Sequence, residues 1–335
     1  MENVDLAVLK TAIEWIGVDG NVVLATVAKT WGSSPRPAGS IMVWRADGQF
    51  EGSLSGGCIE QELMEQFSEV RPGKPTSISY GITKEQAVSR GLPCGGEVTV
   101  VVETLESADQ SIEILARLAR RERVQRVLDM ESGNSMIETP QELARTDLTG
   151  KLFQLVFEPK WRVLVIGAGQ LSAYVTRFAD TLGYDVLVCD PRENYRHSWL
   201  ADDISLSSEM PDDFIIMQQC DRQTAVVALT HDPKLDDLAI MEALNSPSFY
   251  VGALGSSRTN GARRERLYEH FGLTKEQLEF MSGPIGLDLN TRTASEIALA
   301  IMTEITARRN GVKLSSERMK LRDDPRGQRT LAAEP

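Results

Sequence analysis

Residues 162–172 read Arg-Val-Leu-Val-Ile-Gly-Ala-Gly-Gln-Leu-Ser. The first five are typical of a strand buried in a parallel sheet, and the two glycines indicate a tight turn into a helix. The next predicted strand ends at Asp190, 23 residues after Gly167. This spacing is the strand-turn-helix-strand pattern of dinucleotide-binding domains, with Ser172 in place of the third glycine.

The Gly167–Gly169 turn predicts a site for a phosphate-bearing ligand. Backbone N–H groups at the start of a helix face bound phosphates, and Asp190 is placed to receive ribose hydroxyls. Gly167, Gly169 and Asp190 are therefore candidate cofactor-binding residues. The same pattern also fits a domain of this fold that binds another ligand or none, because a fold alone does not fix a function.

Two further loops follow predicted strands at the same edge of the sheet, where ligands bind in such folds. In the first loop, His231 could hydrogen-bond a ligand or shuttle a proton. Alternatively, Asp232 caps the next helix and His231 only orders the loop. In the second loop, Arg258 with Arg263 and Arg264 could clamp a phosphate. The alternative is a solvated arginine face on a helix.

Composition narrows the function classes. The 335 residues carry a net charge of −12, which argues against general nucleic-acid binding because that requires excess basic charge. No apolar run reaches the length of about 18 residues that a membrane span needs. The acidic N-terminus lacks the features of a signal peptide, so a cytoplasmic protein is expected. The four cysteines are dispersed, and neither a disulfide nor a structural zinc site is expected.

The front half carries two motifs that combine cysteine with paired glycines. Residues 53–60 read Ser-Leu-Ser-Gly-Gly-Cys-Ile-Glu, and residues 92–97 read Leu-Pro-Cys-Gly-Gly-Glu. Bare glycine backbone lets a ligand approach, and a thiol at a helix N-terminus can have a lowered pKa. Gly57 is expected to cap the following helix, with Glu60 at its third position. The candidate ligand-contacting residues here are Gly56, Gly57, Cys58, Glu60 and Cys94.

Each of these candidates also has a plainer explanation. Free cysteines are often small buried hydrophobic residues, although two of them beside glycine pairs favour ligand contact. Arg36, in the loop 30–37, could receive an anion or could be an ordinary surface arginine. Cys189 and Cys220 lie in apolar strand or helix-end settings and are interpreted as structural.

The pattern of predicted elements divides the chain into two domains and a tail. Residues 1–158 combine helices with β-branched strands, including a run at 98–102 typical of a strand buried on both faces, and predict a smaller mixed α+β domain. Residues 159–312 alternate strands with helices, which predicts an α/β, Rossmann-like, doubly wound parallel sheet. Residues 313–335 are polar and aperiodic and are predicted to be disordered.

The individual elements follow from hydrophobic periodicity and turn residues. The predicted helices span about 3–17, 58–70, 112–123, 171–182, 235–244, 263–271 and 294–309. The predicted strands span about 22–28, 40–45, 49–54, 98–102, 124–130, 152–157, 162–166, 184–189, 225–230 and 248–254.

Taken together, these motifs make the chain resemble the XdhC/CoxI family, which are maturation factors for molybdenum hydroxylases of the xanthine dehydrogenase type. Two positions depart from the expected pattern: Ser257 stands where a basic residue is expected, and Asn290 where a glycine is expected. The similarity rests on residues 30–40, 52–60, 92–96, 166–169, 230–236, 250–256 and 283–288.

The resemblance implies a cytoplasmic chaperone rather than an enzyme. Such a protein binds molybdenum cofactor transiently, in the molybdopterin form or the cytosine dinucleotide form. It holds the cofactor while a cysteine desulfurase supplies the terminal sulfur. It then passes the cofactor to an apo-enzyme of the xanthine dehydrogenase or aldehyde oxidase type. A homodimer is also expected.

The residues and the resemblance combine into one hypothesis. Cys58, Glu60 and Cys94 meet the molybdenum end, with the two thiols as metal ligands. The second domain holds the pterin phosphate or an attached nucleotide, and the cleft between the domains is the expected site. The rear-half contacts are expected from Gly167, Gly169, Asp190, His231 and Arg258.

Two alternatives from other classes remain open. An NAD(P)-dependent oxidoreductase would use the Rossmann-like domain for hydride transfer, but no residue pair in the sequence stands out as a proton relay. An S-adenosylmethionine methyltransferase would use Asp190. Binding of the corresponding cofactor discriminates either alternative from the chaperone.

Overall fold

A computed structural model describes residues 3–32, 36–57, 59–67, 72–81, 96–199, 201 and 204–312. The chain divides into two compact units, Met1–Lys160 and Trp161–Pro335. The sequence-based boundary after residue 158 lies two residues before this division. The predicted tail, residues 313–335, lies outside the described residues.

The first unit contains two antiparallel sheets and three helices in the part of the chain that the structure describes. The first sheet has the order β3-β2-β1-β5-β4, and the second has the order β7-β6-β9-β8. The helices are α1 (Asn3–Asp19), α2 (Glu60–Gln66) and α3 (Asp109–Ala119). The strands are β1 (Val22–Trp31), β2 (Ile41–Trp44), β3 (Phe50–Gly52), β4 (Thr76–Tyr80), β5 (Glu97–Leu105), β6 (Val124–Asp129), β7 (Ser135–Glu138), β8 (Asp147–Thr149) and β9 (Leu152–Phe157).

The centre of the first sheet is buried on both faces. Along β1, Val23 and Ala25 belong to a core shared with α2, whereas Val22 and Leu24 belong to a core shared with α1 and α3. This alternation follows from the two-residue period of a strand. The prediction that the 98–102 run is buried on both faces is confirmed, since β5 supplies both cores.

A buried ion pair links the two sheets of the first unit. Arg126 of β6 donates from Nη1 and Nη2 to the two carboxylate oxygens of Glu103 on β5, at 2.6 and 2.8 Å. Gln110 accepts from Arg126 Nε at 2.7 Å, and Ser135 accepts from Nη2 at 3.1 Å. Both charges are therefore compensated inside the fold, as buried charges must be.

The second unit is built on a parallel sheet of order β12-β11-β10-β13-β14. From β10, the chain first adds β11 and β12 on one side of the sheet and then β13 and β14 on the other side. The direction of the connections therefore reverses between β10 and β13, and this is the topological switch point of a Rossmann-type fold. The strands are β10 (Arg162–Ile166), β11 (Asp185–Cys189), β12 (Ser205–Ser207), β13 (Thr224–Ala228) and β14 (Tyr250–Ala253). The helices are α4 (Gln170–Thr181), α5 (Glu193–His197), α6 (Pro211–Met217), α7 (Pro233–Leu244), α8 (Ser257–Phe271), α9 (Lys275–Phe280) and α10 (Ala294–Arg309).

Both faces of this parallel sheet are covered by helices. Val163 and Val165 of β10 pack in a core with residues of α4 and α10, and Leu164 and Ile166 pack in a second core with residues of α6, α7 and α8. The predicted fold class, a Rossmann-like doubly wound sheet preceded by a smaller mixed unit, is confirmed. None of the helices in the described part of the chain has the length and apolar character of a membrane span.

Several element boundaries differ from the sequence-based ones. The helix predicted from Arg263 begins at Ser257, because Ser256 caps it by accepting a hydrogen bond from the Thr259 N–H at 3.1 Å. The helix predicted over 112–123 ends at Ala119. The elements β4, β7, β8, β12, α5, α6 and α9 were not predicted, and none is longer than seven residues, too short to show a clear period.

Replacing Gly52 at the end of β3 should destabilise the first unit. Gly52 has a φ of +99°, and a Cβ atom there would overlap the Ile41 carbonyl oxygen and lie 2.6 Å from Val8 Cγ2. We expect Gly52→Ala to lower the free energy of unfolding in urea by about 2–4 kcal/mol, through overpacking and backbone strain.

The matched control is Gly17→Ala in α1, where a Cβ atom would meet nothing within 4 Å. Alanine is the better helix former, so this change should stabilise the protein by about 0.5–1 kcal/mol. Equal effects of the two substitutions would contradict the packing described around Gly52.

Candidate functional site

The glycine-rich loop of the first unit is folded around the side chain of Glu60. Its carboxylate accepts hydrogen bonds from five backbone N–H groups and two hydroxyl groups, at 2.5–3.2 Å. The N–H donors are Leu54, Ser55, Gly56, Gly57 and Ile59, and the hydroxyl donors are Ser53 and Ser55. One charged group therefore fixes the described part of the turn between β3 and α2.

The environment of Glu60 keeps this carboxylate ionised. The residue is 4% exposed. Burial alone would raise the pKa of Glu60, but the hydrogen bonds from Ser55, Leu54 and Ser53 outweigh it and lower the pKa to about 2. The loop is thus organised by a permanent negative charge near neutral pH.

This arrangement corrects one expectation for the loop. The prediction that Gly57 caps the helix with Glu60 at the third position is wrong, because α2 begins at Glu60 itself and Ile59 is its N-cap residue. The backbone N–H groups of the described part of the loop donate to Glu60 and so are not available to a bound anion. A tethered carboxylate has a high effective concentration at these donors.

The paired glycines shape the turn and leave space above it. Gly56 and Gly57 have φ angles of +87° and +115°, which side chains other than glycine adopt only with strain. A Cβ atom at either position would meet nothing within 4 Å. The glycines are thus required by the backbone conformation, and their exposed surface is accessible to a ligand.

The other front-half candidates are placed only in part. Cys58 and Cys94 lie outside the described residues. Arg36 is half-buried between β1 and β2. The roles of Arg36, Cys58 and Cys94 remain predictions.

The Gly167–Gly169 turn of the second unit lies at the switch point, as its motif predicts. Gly167 has a φ of +108°, and a Cβ atom there would lie 3.1 Å from the Thr230 backbone. Gly169 is the N-cap residue of α4, and a Cβ atom there would meet nothing within 4 Å. Ser172, at the third-glycine position, is fully buried. The start of α4 is therefore open above Gly169, where a phosphate binds in this fold.

Asp190 at the end of β11 already has a full set of partners from the chain. Its Oδ2 accepts from the Ala168 N–H and from Arg192 Nη2, both at 2.8 Å. Its Oδ1 accepts from the Arg192 N–H at 3.0 Å and from Arg192 Nε at 2.9 Å. Burial favours a raised pKa for Asp190, but the bonds from Arg192 and Ala168 outweigh it and lower the pKa. Reception of ribose hydroxyls by Asp190 stays a prediction, and it requires these partners to be displaced.

Arg192, which the sequence motifs do not single out, lies beside the Gly167–Gly169 turn. Its guanidinium carbon lies 3.7 Å from the centre of the Tyr195 ring, and its Nη1 is 3.4 Å from the carbonyl oxygen of Thr230. The side chain is 24% exposed. The sequence does contain a signal for this residue: Arg192 comes two positions after Asp190, which ends the second strand of the motif. In related domains an arginine near this point accommodates a phosphate.

His231 lies at the carboxyl end of β13, next to the switch point. It is exposed and adopts a left-handed conformation with φ of 62°. Asp232 caps α7 by accepting from the Lys234 N–H at 3.0 Å, as the alternative interpretation of this loop proposed. Asp236 accepts from both the N–H and the hydroxyl of Thr230, at 3.1 and 2.7 Å. The loop that carries His231 is thus fixed by the side chains of Asp232 and Asp236.

The predicted arginine clamp is wrong for two of its three members. Arg263 is 2% exposed and pairs with Asp236 and Asp237 at 3.1 and 2.9 Å. Arg264 donates to carbonyl oxygens between residues 278 and 283. Positions five and six residues after Arg258 do not share its helix face, because helical neighbours are three or four residues apart. Arg258 itself is exposed in the first turn of α8 and has no ion pair among the described residues.

The rear-half cysteines have the environment of structural residues. Cys189 is fully buried, and its thiol donates to the Glu209 carbonyl oxygen at 3.2 Å. Burial raises the pKa of Cys189 to about 12, and burial also raises the pKa of Cys220. Within the described ranges, no group of three or more His, Cys, Asp or Glu side chains could hold a metal ion.

The fold and these two loops define the class of protein: a Rossmann-type α/β unit with an open glycine turn at its switch point, preceded by an antiparallel unit with a carboxylate-centred glycine loop. Two family models agree with this description. The XdhC Rossmann domain matches residues 163–305, and the XdhC and CoxI family model matches residues 15–81. The chain belongs to the XdhC and CoxI family.

Relatives of known name match along most of the chain. The molybdenum cofactor insertion chaperone PaoD of Escherichia coli is 29% identical over 90% of this chain and 87% of its own length. A protein of Bacillus subtilis, named as a probable subunit of xanthine dehydrogenase, is 28% identical over 87% of this chain and 94% of its own length. A crystal structure titled as a xanthine dehydrogenase from Bacillus halodurans has the same fold, with a TM-score of 0.71 at 23% identity, over 93% of this chain and 97% of that one.

Removing the charge of Glu60 should loosen the glycine-rich loop in a pH-dependent way. We expect Glu60→Gln to lower the free energy of unfolding at pH 7 by about 2–3 kcal/mol, because hydrogen bonds to a charged group are replaced by weaker and mismatched ones. A carboxylate whose pKa is lower in the folded state stabilises the fold above its unfolded pKa. The deficit should therefore shrink as the pH falls from about 5 toward 2, the range that the pKa of Glu60 sets.

The measurement is urea unfolding of both proteins at several pH values. Glu65→Gln on the exposed side of α2 is the matched control, and it should change stability by less than about 0.5 kcal/mol. A deficit for Glu60→Gln that does not vary with pH would contradict the charged state assigned to Glu60.

Proposed function

We propose that this protein binds molybdenum cofactor as a cargo and delivers it to an apo-molybdoenzyme. The observation that carries the proposal is the match to the molybdenum cofactor insertion chaperone PaoD, which extends over 90% of this chain and so includes both units. A relative related only through a common Rossmann-type unit would match the rear half alone. The similarity thus includes the glycine-rich loop that is specific to the first unit.

The described residues fit such a cargo at both candidate loops. Gly56 and Gly57 offer backbone that a ligand can approach without a steric barrier. Cys58 follows them directly in the sequence, and thiolates are soft ligands suited to a thiophilic metal. Gly169 at the start of α4, with Arg192 and His231 nearby in the fold, suits the phosphate that the pterin carries.

The finer parts of the proposal follow from the family. The cofactor is held while a cysteine desulfurase supplies the terminal sulfur, and the client is an enzyme of the xanthine dehydrogenase or aldehyde oxidase type. The cofactor is molybdopterin or its cytosine dinucleotide form. The protein acts in the cytoplasm as a homodimer and has no catalytic turnover of its own. Cys58 and Cys94 contact the molybdenum end, and Glu60 acts indirectly by shaping the loop.

Of the two oxidoreductase cofactors, NAD is the one that the geometry supports less well, whereas an arginine such as Arg192 after the second strand suits the 2′-phosphate of NADP. NAD recognition in this fold uses a free acidic side chain after the second strand. Here that side chain, Asp190, is paired with Arg192 and the Ala168 N–H. We retain the chaperone as the proposed function because of the match to PaoD along both units.

Replacing Cys58 should reduce the amount of cofactor that the protein retains. The protein is purified without oxygen from a host that makes molybdenum cofactor, and the bound pterin is released, oxidised and measured by its fluorescence. We expect Cys58→Ala to lower the retained pterin about tenfold, a loss of ~1.4 kcal/mol in binding.

The control is Cys220→Ala, which removes a half-buried thiol in the second unit. This variant should retain pterin at the wild-type level. Wild-type protein without any pterin, or with tightly bound NAD(P) in its place, would contradict the proposed function. Unchanged pterin in Cys58→Ala would remove only Cys58 from the site.

A further inference from the structure

The guanidinium group of Arg192 crosses the carboxyl-end edge of the sheet in the second unit. On one side it pairs with Asp190, which follows β11, and on the other its Nη1 reaches the carbonyl oxygen of Thr230, which follows β13. These two strands flank β10, whose end carries Gly167. Arg192 therefore lies over the switch point, where ligands bind in open α/β sheets.

The hydrogen bonds of Arg192 leave part of the group uncommitted. A guanidinium has five N–H donors in a rigid fork. Nε and Nη2 pair side-on with the two oxygens of Asp190, and one Nη1 donor faces Thr230. Among the described residues, one N–H on Nη1 and one on Nη2 have no hydrogen-bond partner. Arginine binds the oxygens of a phosphate in such a two-pronged manner.

The surroundings of Arg192 favour an anion. The Tyr195 ring stacks on the guanidinium at 3.7 Å and holds its orientation. The N-terminus of α4, a helix of 12 residues, begins at the same edge after Gly169 and adds a partial positive charge. His231 follows Thr230 and is exposed. Two acidic groups act on Arg192: Asp190 is buried and paired with it, and Asp232 contributes a further electrostatic attraction that also raises the pKa of Arg192.

The same contacts leave no acceptor for a ribose diol at Asp190. Each of its oxygens accepts two hydrogen bonds from the chain, one of them from a backbone N–H. A ribose that bound there would have to displace Arg192 and leave its charge uncompensated. Phosphate binding by Arg192 requires no such rearrangement.

We infer that Arg192 binds a phosphate group of the ligand, and that the second unit recognises a phosphate ester without reading ribose hydroxyls through Asp190. The inference rests on the proposed function, since the cargo is a pterin that carries a phosphate or a diphosphate. The chemical class that the second unit selects is then a phosphate ester, and the hydroxyl groups of its sugar, where a sugar is present, make no hydrogen bonds to Asp190.

Wild-type protein tests the inference directly. Isothermal titration compares cytidine diphosphate, 2′,3′-dideoxycytidine diphosphate and cytidine. We expect the two diphosphates to bind within about threefold of each other, and cytidine to bind at least about tenfold more weakly. A loss of more than about threefold on removing the two hydroxyls would overturn the inference, because diol recognition would then contribute to affinity. Absence of diphosphate binding, or equal binding of cytidine, would overturn it as well.

Variants locate the effect at Arg192. Arg192→Gln should weaken cytidine diphosphate at least about tenfold, whereas Arg177→Gln, which removes the same charge from an exposed position of α4, should stay within about twofold. Arg192→Lys keeps the positive charge beside Asp190 but removes the paired N–H donors of the guanidinium group. It should therefore also weaken the binding of cytidine diphosphate by more than about threefold. Thermal unfolding confirms which variants are folded.

Wild-type-like affinity in both Arg192 variants would overturn the inference. Retention of pterin by the wild-type protein is measured separately. If the wild-type protein retains pterin but the titrations fail, the role of Arg192 is refuted and the proposed function stands. If the titrations give the expected affinities but the wild-type protein retains no pterin, the role of Arg192 stands and the proposed function is refuted.

Discussion

The glycine-rich loop of the first unit depends on one carboxylate, which occupies the position that a bound anion would otherwise take. Five loop N–H groups of residues 54–59 converge on Glu60. Without it these donors would need water or another anion, because buried N–H groups are costly to leave unpaired. The loop therefore has its shape before any ligand arrives, and a ligand meets preorganised backbone instead of a flexible glycine segment.

In the second unit, buried carboxylates hold loops through hydrogen bonds at two places. Asp190 ties the Gly167–Gly169 turn to Arg192, and Asp236 ties Thr230 to Arg263. In both cases a buried acidic side chain holds a loop, and one of the two, Asp190, is the residue that the sequence indicates as a ligand contact. Under the proposed function, contact with the phosphate of the cargo falls to basic side chains and to the start of α4, whose partial positive charge suits a phosphate.

The fold was largely predictable because its signals are local. Continuous apolar runs and the glycine turn at 167–169 indicate buried parallel strands and their connection, whatever the rest of the chain does. The partners of Glu60 and Asp190 were not predictable, since they depend on where a side chain points after folding. The separation of Arg263 from Arg258 is an intermediate case: helical spacing could have shown that a five-residue offset does not share a face. The short strands and helices were missed because a few residues show no period.

Native-state hydrogen exchange of single amides is the sharpest test of whether Glu60 organises the glycine-rich loop from within. Gly56 and Gly57 suit this measurement because both are exposed and lie outside regular secondary structure. We expect their N–H groups to exchange at pH 7 at least about a hundredfold more slowly than in an unstructured peptide, owing to their bonds to Glu60. Exchange at the unprotected rate would contradict this role of Glu60.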